Sequence, residues 1–425
     1  MSGRVVRASE AGAALDAHLV HGGGADDTDA LQGILDSARD HPGLHVVVDG
    51  PASVRGLRVH CGTTIEFEPG AGLYLRDGSR RPLLGNGTPS RDGIVDRDIR
   101  ILGGFFNGNR EGQTNRRDDG TFNRDDRGAF QRVLEFFGVA NLAIEGATVW
   151  NARAFAVWIA NAEFVTIRDT VVDVNLPEYP GGAPAADQRA YWDEHRSNLD
   201  GIHITGPARN VLLERLRLRT EDDAIALLSN EGIGADISDE DTMGPYLGSG
   251  PISDVVVRDV VLDGAMFGIR LLSANRSIDR VLIENVSGNI RHRMVVVSSF
   301  GSRHGGDFGS IEFRNVNVDP LPSATYPEIV PDWIGVEDRG LASVVDEDAV
   351  LPMFSLNGAI RRFAIDGLSA RVIDGRPLVR LGARAEIGEL EVRARLGDPD
   401  GLASVLVTEP GSRVERLVLA VSTTR

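Results

Sequence analysis

The chain holds one cysteine, Cys61, in 425 residues, so no internal disulfide can brace it. A reducing compartment is compatible with that count. No run of roughly 18 apolar residues occurs, which argues against a helical membrane span. Met1 to Leu19 lacks an apolar core of signal-peptide length. The expectation is a soluble cytoplasmic protein, or a secreted one whose leader has been removed. Positive charge is also scarce: 45 Lys and Arg stand against 62 Asp and Glu, a formal net charge of -17. Nucleic acid and anionic membrane surfaces are therefore poor partners. A strongly acidic polymer fits badly too, unless basic residues are focused at one site. Methionine and aromatics are few, whereas glycine is plentiful, at 50 residues. Val, Ile and Leu recur in short runs, a profile of many short strands and tight turns.

These short strands repeat. Apolar segments begin near Leu142, Phe164, Val211, Val255, Val281, Ile311, Phe363, Ile387 and Val414. Most intervals are close to 25 residues, and the longer ones are close to twice that. Val255–Val260, Val281–Val286 and Ile311–Val316 share one pattern: alternating apolar residues, a polar corner, then another apolar position. A period in that range, built from strands without helices, predicts an all-β fold, a right-handed single-stranded parallel β-helix. A propeller competes, but its blades need about 40 residues and regular hairpins. Ahead of the repeat, Asp27 or Thr28 can cap a helix whose Leu31, Ile34, Leu35 and Ala38 share one face. Pro42 and Gly43 close it. Residues 21–43 then read as an end cap covering the first rung of a single domain, 1–425. Insertions interrupt the repeat at about 176–197, 230–250 and 319–357. In solenoids such insertions are loops, and they often wall a binding face.

Aligning the strands by their alternation brings one group of residues into focus. Phe155–Ile159, Asp200–Ile204, Asp223–Leu227 and Phe267–Leu271 fall into register. The third and fifth residues of each point inward. The fourth points outward, giving a column of Trp158, His203, Ala226 and Arg270. Two positions beyond the third lies Ala160, Thr205, Leu228 and Leu272 by the same count of one further step. The first column stacks Asp200 on Asp223, with Asp222 just before. Adjacent rungs lie about 4.8 Å apart. Like charges at that distance raise at least one carboxyl pKa, which suits a general acid. Two carboxylates about 6.5–9.5 Å apart leave room for the water of an inverting glycosidase. Acid pairs at strand ends are also ordinary corner residues, as Asp118-Asp119 and Asp125-Asp126 show. Stacked acids repel, however, and need a reason to persist. Trp158 and Arg270 in the same column read as the floor of a sugar cleft, the ring on the apolar side of a sugar and the guanidinium on its oxygens.

This set resembles glycoside hydrolase family 28, the polygalacturonase-like enzymes. Their signature is Asn-Thr-Asp, then Asp-Asp one rung later, then Gly-His-Gly, then Arg-Ile-Lys. Asn198-Leu199-Asp200-Gly201 matches the first element with one change, Asp222-Asp223 the second, and Arg270 the arginine of the fourth. The segment Gly24-Ala25-Asp26-Asp27-Thr28 is similar to an N-terminal signature of pectate-lyase-type β-helices. The resemblance implies a right-handed parallel β-helix that cleaves a glycosidic bond with inversion. Asp222 would be its general acid, and Asp200 and Asp223 would hold and activate water. Arg270, His203, Trp158, Asn198 and Leu272 would contact the carbohydrate substrate, with no metal or other cofactor. Two family features are missing. Gly248-Ser249-Gly250 stands about where the histidine motif belongs, and Leu272 stands at the lysine position. The expectation is hydrolysis of a plant- or microbe-derived glycan other than polygalacturonan, perhaps better described as neutral or 6-deoxy. A lyase or epimerase remains open, since three acids can bind Ca²⁺ and Arg291, His292, Arg293, Arg303 and His304 form a basic cluster. So does a non-catalytic, tailspike-like carbohydrate-binding solenoid. Oligomeric state is not legible.

Overall fold

A computed structural model describes residues 4–113 apart from 80 and 91, then 132–178, 180, 183, 184, 187, 199–229, 250–298 apart from 274 and 275, 306–321, 352–370, 377–397 and 405–423. Asn198, Arg303 and His304 lie outside these residues, as do residues 230–249 and 322–351 of the expected insertions. The density of internal contacts divides the chain into two units. The first holds the described residues of 4–175 and 199–216, and the second those of 176–187, 217–229 and 250–423.

In the first unit the strands climb in parallel ladders. Val5–Arg7 pairs with His45–Val48, which pairs with Thr64–Phe67, which pairs with Asp96–Leu102, and that strand pairs with Leu134–Glu145. Leu134–Glu145 then pairs with Val157–Asp173. Ile99, Leu142 and Val165 occupy one column, and Ile101, Ile144 and Ile167 another, all buried. Alternation makes this possible, because every second side chain faces the same way and β-branched residues suit the pleat.

The expected cap is present. The helix Thr28–Asp36 buries Leu31, Ile34 and Leu35, and Ala38 follows them in a short 3-10 turn, Ser37–Arg39. The helix therefore stops before Pro42 and Gly43 rather than at them. Leu31 and Leu35 rest among Val46, Val48, Leu57, Ile65 and Phe67, which closes the apolar end of the first rungs. Gln32 closes the polar edge. Its Oε1 accepts from the Arg58 amide at 2.8 Å while its Nε2 donates to the Arg58 carbonyl at 3.0 Å. One carboxamide thus takes the place of a neighbouring strand. Asp27 precedes the helix but does not bond into it. Its carboxylate accepts from the amides of Ala14 and Leu15 at 2.6 and 3.1 Å, fastening the N-terminal segment instead.

In the second unit the repeat is most regular. Val255, Val281, Ile311, Phe363, Leu390 and Leu417 form one column on successive rungs. Val257, Ile283, Phe313, Ile365, Val392 and Leu419 form the next. Each such side chain contributes about 1.5–3 kcal/mol when fully buried. Burial lasts until the final rung, where Leu417 and Leu419 are 46% and 43% exposed. Ile387 and Val414 belong to a different column from the rest of the sequence-derived series. They pair with Ile360, three positions before Phe363.

Between the two columns the chain must turn without losing register. It does so through a residue in the left-handed region. Asp259, Asn285, Asn315 and Gly367 hold this corner with φ of 57°, 55°, 52° and 78°. Left-handed backbone costs an ordinary L-residue about 1–2 kcal/mol, and Asn, Asp and Gly tolerate it best. The side chains also bond to one another. Asn285 Nδ2 donates to Asp259 Oδ1 at 2.9 Å, and Asn315 Nδ2 donates to Asn285 Oδ1 at 2.7 Å. The first unit has the same corner at Gly103, Gly146 and Asp169, with φ of 70°, 71° and 52°. The all-β class with a capping helix is therefore that of a right-handed parallel β-helix.

Two outcomes follow. Asn285→Ala is expected to lower the unfolding free energy by about 2 kcal/mol, combining backbone strain with the lost ladder bonds. Asn285→Gly restores the conformation and is expected to cost less than half as much, as urea titration would show. The second outcome concerns acid. Burial alone would raise the pKa of Asp26, Asp36 and Asp49, yet hydrogen bonds from Thr28, from His60 and Gln32, and from Ser9 outweigh it and hold all three below the ordinary value. A folded pKa below the unfolded one stabilises at neutral pH and is lost as pH falls through and below the ordinary aspartate range. Amide exchange in the helix Thr28–Asp36 should accelerate, relative to the strands of the second unit, as pH drops below about 4.

Candidate active site

The second unit carries the acid pair. The chain leaves the strand Ile202–Arg219, bends through Thr220, Glu221 and Asp222, and begins a new strand, Asp223–Ser229. Asp223 pairs with Phe267, Ala226 with Arg270 and Leu228 with Leu272. This is the register that alternation predicts. Arg270 lies three residues beyond Phe267, and its guanidinium folds back over that ring, 4.3 Å from its centroid. From there it reaches the start of the neighbouring strand. Its Nε lies 2.8 Å from Asp223 Oδ1 and 2.7 Å from Asp223 Oδ2. Its Nη2 lies 3.5 Å from Asp222 Oδ1. The two acids are not equivalent. Asp223 is gripped by Arg270 and its side chain is 6% exposed, whereas Asp222 is held more loosely at 14%. A carboxylate fixed by a guanidinium is suited to remain charged and orient a water. A looser carboxyl nearby is suited to carry a proton. Carboxylates also suit hard cations, but Arg270 already brings positive charge to both oxygens of Asp223.

The first unit carries Asp200 and its surroundings. The Ala156 amide donates to the Asp200 carbonyl, and the Val157 amide to the Gly201 carbonyl, each at 2.9 Å. That sets Val157 opposite Ile202, again the expected register. Asp200 Oδ2 lies 2.6 Å from His203 Nδ1, and both residues are buried. The His203 ring stacks on Phe155 at 4.3 Å and 15°, which fixes its orientation. An imidazole so held gives Asp200 a partner that accepts or donates a proton according to its own charge.

Trp158 requires a correction. The sequence reading made it an exposed platform for sugar, but it is fully buried. Its Nε1 donates to Thr205 Oγ1 at 2.9 Å, and its ring packs edge-on against Phe137 and Phe155. The Arg132 guanidinium covers the ring at 4.3 Å. Alternation correctly assigns Trp158 to a face, but neighbouring side chains enclose that face. Leu272 is similarly buried, beside Leu228. His203 is buried as well, so its contact in the described residues is to Asp200 rather than to solvent. Asn198 lies outside the described residues.

Several residues escaped the sequence reading. Phe155 and Phe267 flank the acids in the first column, one under His203 and the other under Arg270. Their alignment with Asp200 and Asp223 was the available signal. Glu135 pairs in register with Trp158, and its Oε2 lies 3.7 Å from Arg132 Nη1. Burial pushes the Glu135 pKa up, with Arg132 and Arg58 opposing. Burial also pushes Arg132 down to about 10.

The grip of Arg270 on the acid pair can be measured. Arg270→Gln leaves two enclosed carboxylates without their cation and is expected to cost about 3–5 kcal/mol. Asp223→Asn combined with Arg270→Gln should cost clearly less than the sum of the single changes. A double-mutant cycle by urea unfolding checks this, and strict additivity would refute the coupling.

Comparison with known proteins adds the following. A family model described as glycosyl hydrolases family 28 matches residues 95–292. A family 28 exopolygalacturonase from Yersinia enterocolitica has a similar structure, with TM-score 0.53 and 15% identity over 99% of this chain and 78% of that one. The A-module of the mannuronan C-5 epimerase AlgE6 from Azotobacter vinelandii gives TM-score 0.55 and 13% identity, covering 99% of each chain. A hyperthermoactive exopolygalacturonase from Thermotoga maritima gives 0.50 and 12%, covering 98% of this chain and 94% of that one. At such identities the structural likeness is one of fold. No curated protein matches the chain in sequence. The family resemblance read from Asp200, Asp222, Asp223 and Arg270 is thus matched by the family model, for all four residues lie within the segment in which this chain is similar to the glycosyl hydrolases of family 28.

Proposed function

We propose that this protein is a glycoside hydrolase that cleaves an O-glycosidic bond with inversion of configuration. The observation that carries the reading is the Asp222–Asp223–Arg270 group within the segment matched by the family 28 model. Asp222, the looser acid, protonates the leaving oxygen. Asp223, fixed by Arg270, holds the attacking water. Asp200 shares that task. It takes the same strand position as Asp223 one coil earlier, opposite a phenylalanine in each case, since Phe155 aligns with Asp200 and Phe267 pairs with Asp223. On stacked rungs such positions are about 4.8 Å apart, and a sideways offset opens the wider spacing that an inverting mechanism needs. His203, bonded to Asp200, steadies that carboxylate.

The substrate in this reading is an oligosaccharide or polysaccharide of plant or microbial origin with a neutral sugar at the reacting position. Leu272, paired with Leu228, supports this, because an apolar pair supplies no cation for a sugar carboxylate there.

The test is hydrolysis of a panel of neutral and acidic oligosaccharides, with the product anomer followed by NMR. Inversion is expected. Asp222→Asn is expected to lower kcat by 10²–10⁴-fold, the usual range for a general acid, with the fold intact. Retention would sink the inverting assignment. Faster cleavage of polygalacturonate than of any neutral oligosaccharide would sink the substrate assignment. An unsaturated product absorbing in the ultraviolet would mark a lyase instead.

A further inference from the structure

The bend that delivers the acid pair has a backbone problem. Thr220, Glu221 and Asp222 lie between two strands, so the Thr220 and Glu221 carbonyls are outside the ladder. The segment is nonetheless enclosed, with Thr220 3% and Glu221 2% exposed. Buried carbonyls need donors. The ladder resumes only at Asp222, whose carbonyl accepts from the Phe267 amide at 3.4 Å and from the Thr220 hydroxyl at 3.3 Å.

The donor comes from far along the chain. Arg291 is 1% exposed, and its Nη2 donates to the Glu221 carbonyl and, at 3.3 Å, to the Thr220 carbonyl. Its Nε donates at 2.7 Å to the carbonyl of Gly264. Gly264 has φ of 81° and stands at a bulge, where the pairing of Ile252–Ser273 with Ser277–Ser298 shifts between Asp263 and Ala265. Three residues after Gly264 comes Phe267, and three after that Arg270. One guanidinium therefore ties the bend before Asp222-Asp223 to the turn before Phe267 and Arg270. The fork geometry of arginine permits this, with Nε and Nη2 donating along different directions. A lysine would offer a single ammonium at one point.

We infer that Arg291 is a positioning residue for the acid pair, fixing the Thr220–Asp222 backbone so that Asp222 and Asp223 meet Arg270 at the observed distances. This rests on the reading of Asp222 and Asp223 as the reacting carboxyls. Arg291 touches no carboxyl through these bonds and acts through the main chain alone. Loosening it moves the two acids relative to Arg270. The effect should then fall on their titration and on kcat, more than on substrate affinity.

The experiment compares Arg291→Lys and Thr220→Val with the unaltered full-length protein. Both are checked first for a cooperative unfolding transition. Carboxyl titration by NMR, with ¹³C-labelled aspartate and assignments from Asp222→Asn and Asp223→Asn, needs no substrate. In Arg291→Lys at least one midpoint of the pair is expected to move by half a pH unit or more. Thr220→Val keeps the guanidinium and should move the midpoints less. On any oligosaccharide of the panel that is turned over, Arg291→Lys should lower kcat about 10–100-fold, leave KM within a factor of two and shift a limb of the pH–rate profile. A folded Arg291→Lys with unchanged midpoints overturns the inference, as does one with a lower melting temperature but an unchanged kcat and pH profile. Should Arg291→Lys not fold, Gly264→Pro, which leaves Arg291 in place while disturbing the Gly264 turn, must move the same midpoints, and unchanged midpoints there overturn it. The underlying reading fails separately: full turnover by Asp222→Asn removes the acid assignment whatever Arg291 does.

Discussion

Everything in this molecule rests on the chain's ability to turn a corner and still return to register. A parallel coil needs a sharp change of direction at the same point in each rung. The backbone achieves it with one residue at positive φ, the conformation least available to most side chains. Asp259, Asn285, Asn315 and Gly367 supply it on four successive rungs, and Asn285 and Asn315 add side-chain bonds along the stack. With the corner fixed, the apolar columns on either side are fixed as well. So is the outer-face position at which an acid on one strand meets an arginine on the next. A slip of one residue would turn Val281 and Ile283 outward and carry Asp223 away from Arg270.

Much of this was legible in the sequence because alternation is a local property. The shared pattern of Val255–Val260, Val281–Val286 and Ile311–Val316 gave the pairing that the ladders show. It also gave Ala226 opposite Arg270, and hence the neighbourhood of Asp223. The offset of Ile387 and Val414 shows where the pattern is ambiguous. Those rungs offer two apolar columns three residues apart, and alternation alone does not choose between them.

Depth was not legible. Trp158 and Arg270 share a column, yet the ring is sealed by Phe137, Phe155 and Arg132 while the guanidinium remains at the edge of solvent. Period-two patterning says which face a side chain joins, and distant packing decides what lies over that face. The same limit hid Arg291. A side chain bonded to carbonyls 70 and 71 positions earlier leaves no trace in local spacing. Asp27 illustrates the limit at short range. Its type and place match a helix cap, but two N-terminal amides claim its carboxylate.

The long reach of Arg291 also orders events during synthesis. As the chain leaves the ribosome, Asp200, Asp222, Asp223 and Arg270 all emerge before the guanidinium that braces their backbone. The nascent protein thus holds every acidic group of its site while the bend bearing two of them is still unfastened. Those groups become a fixed array only when the rung beyond Arg270 has closed. Competence therefore arrives late in the growth of the coil, downstream of the residues that define the chemistry.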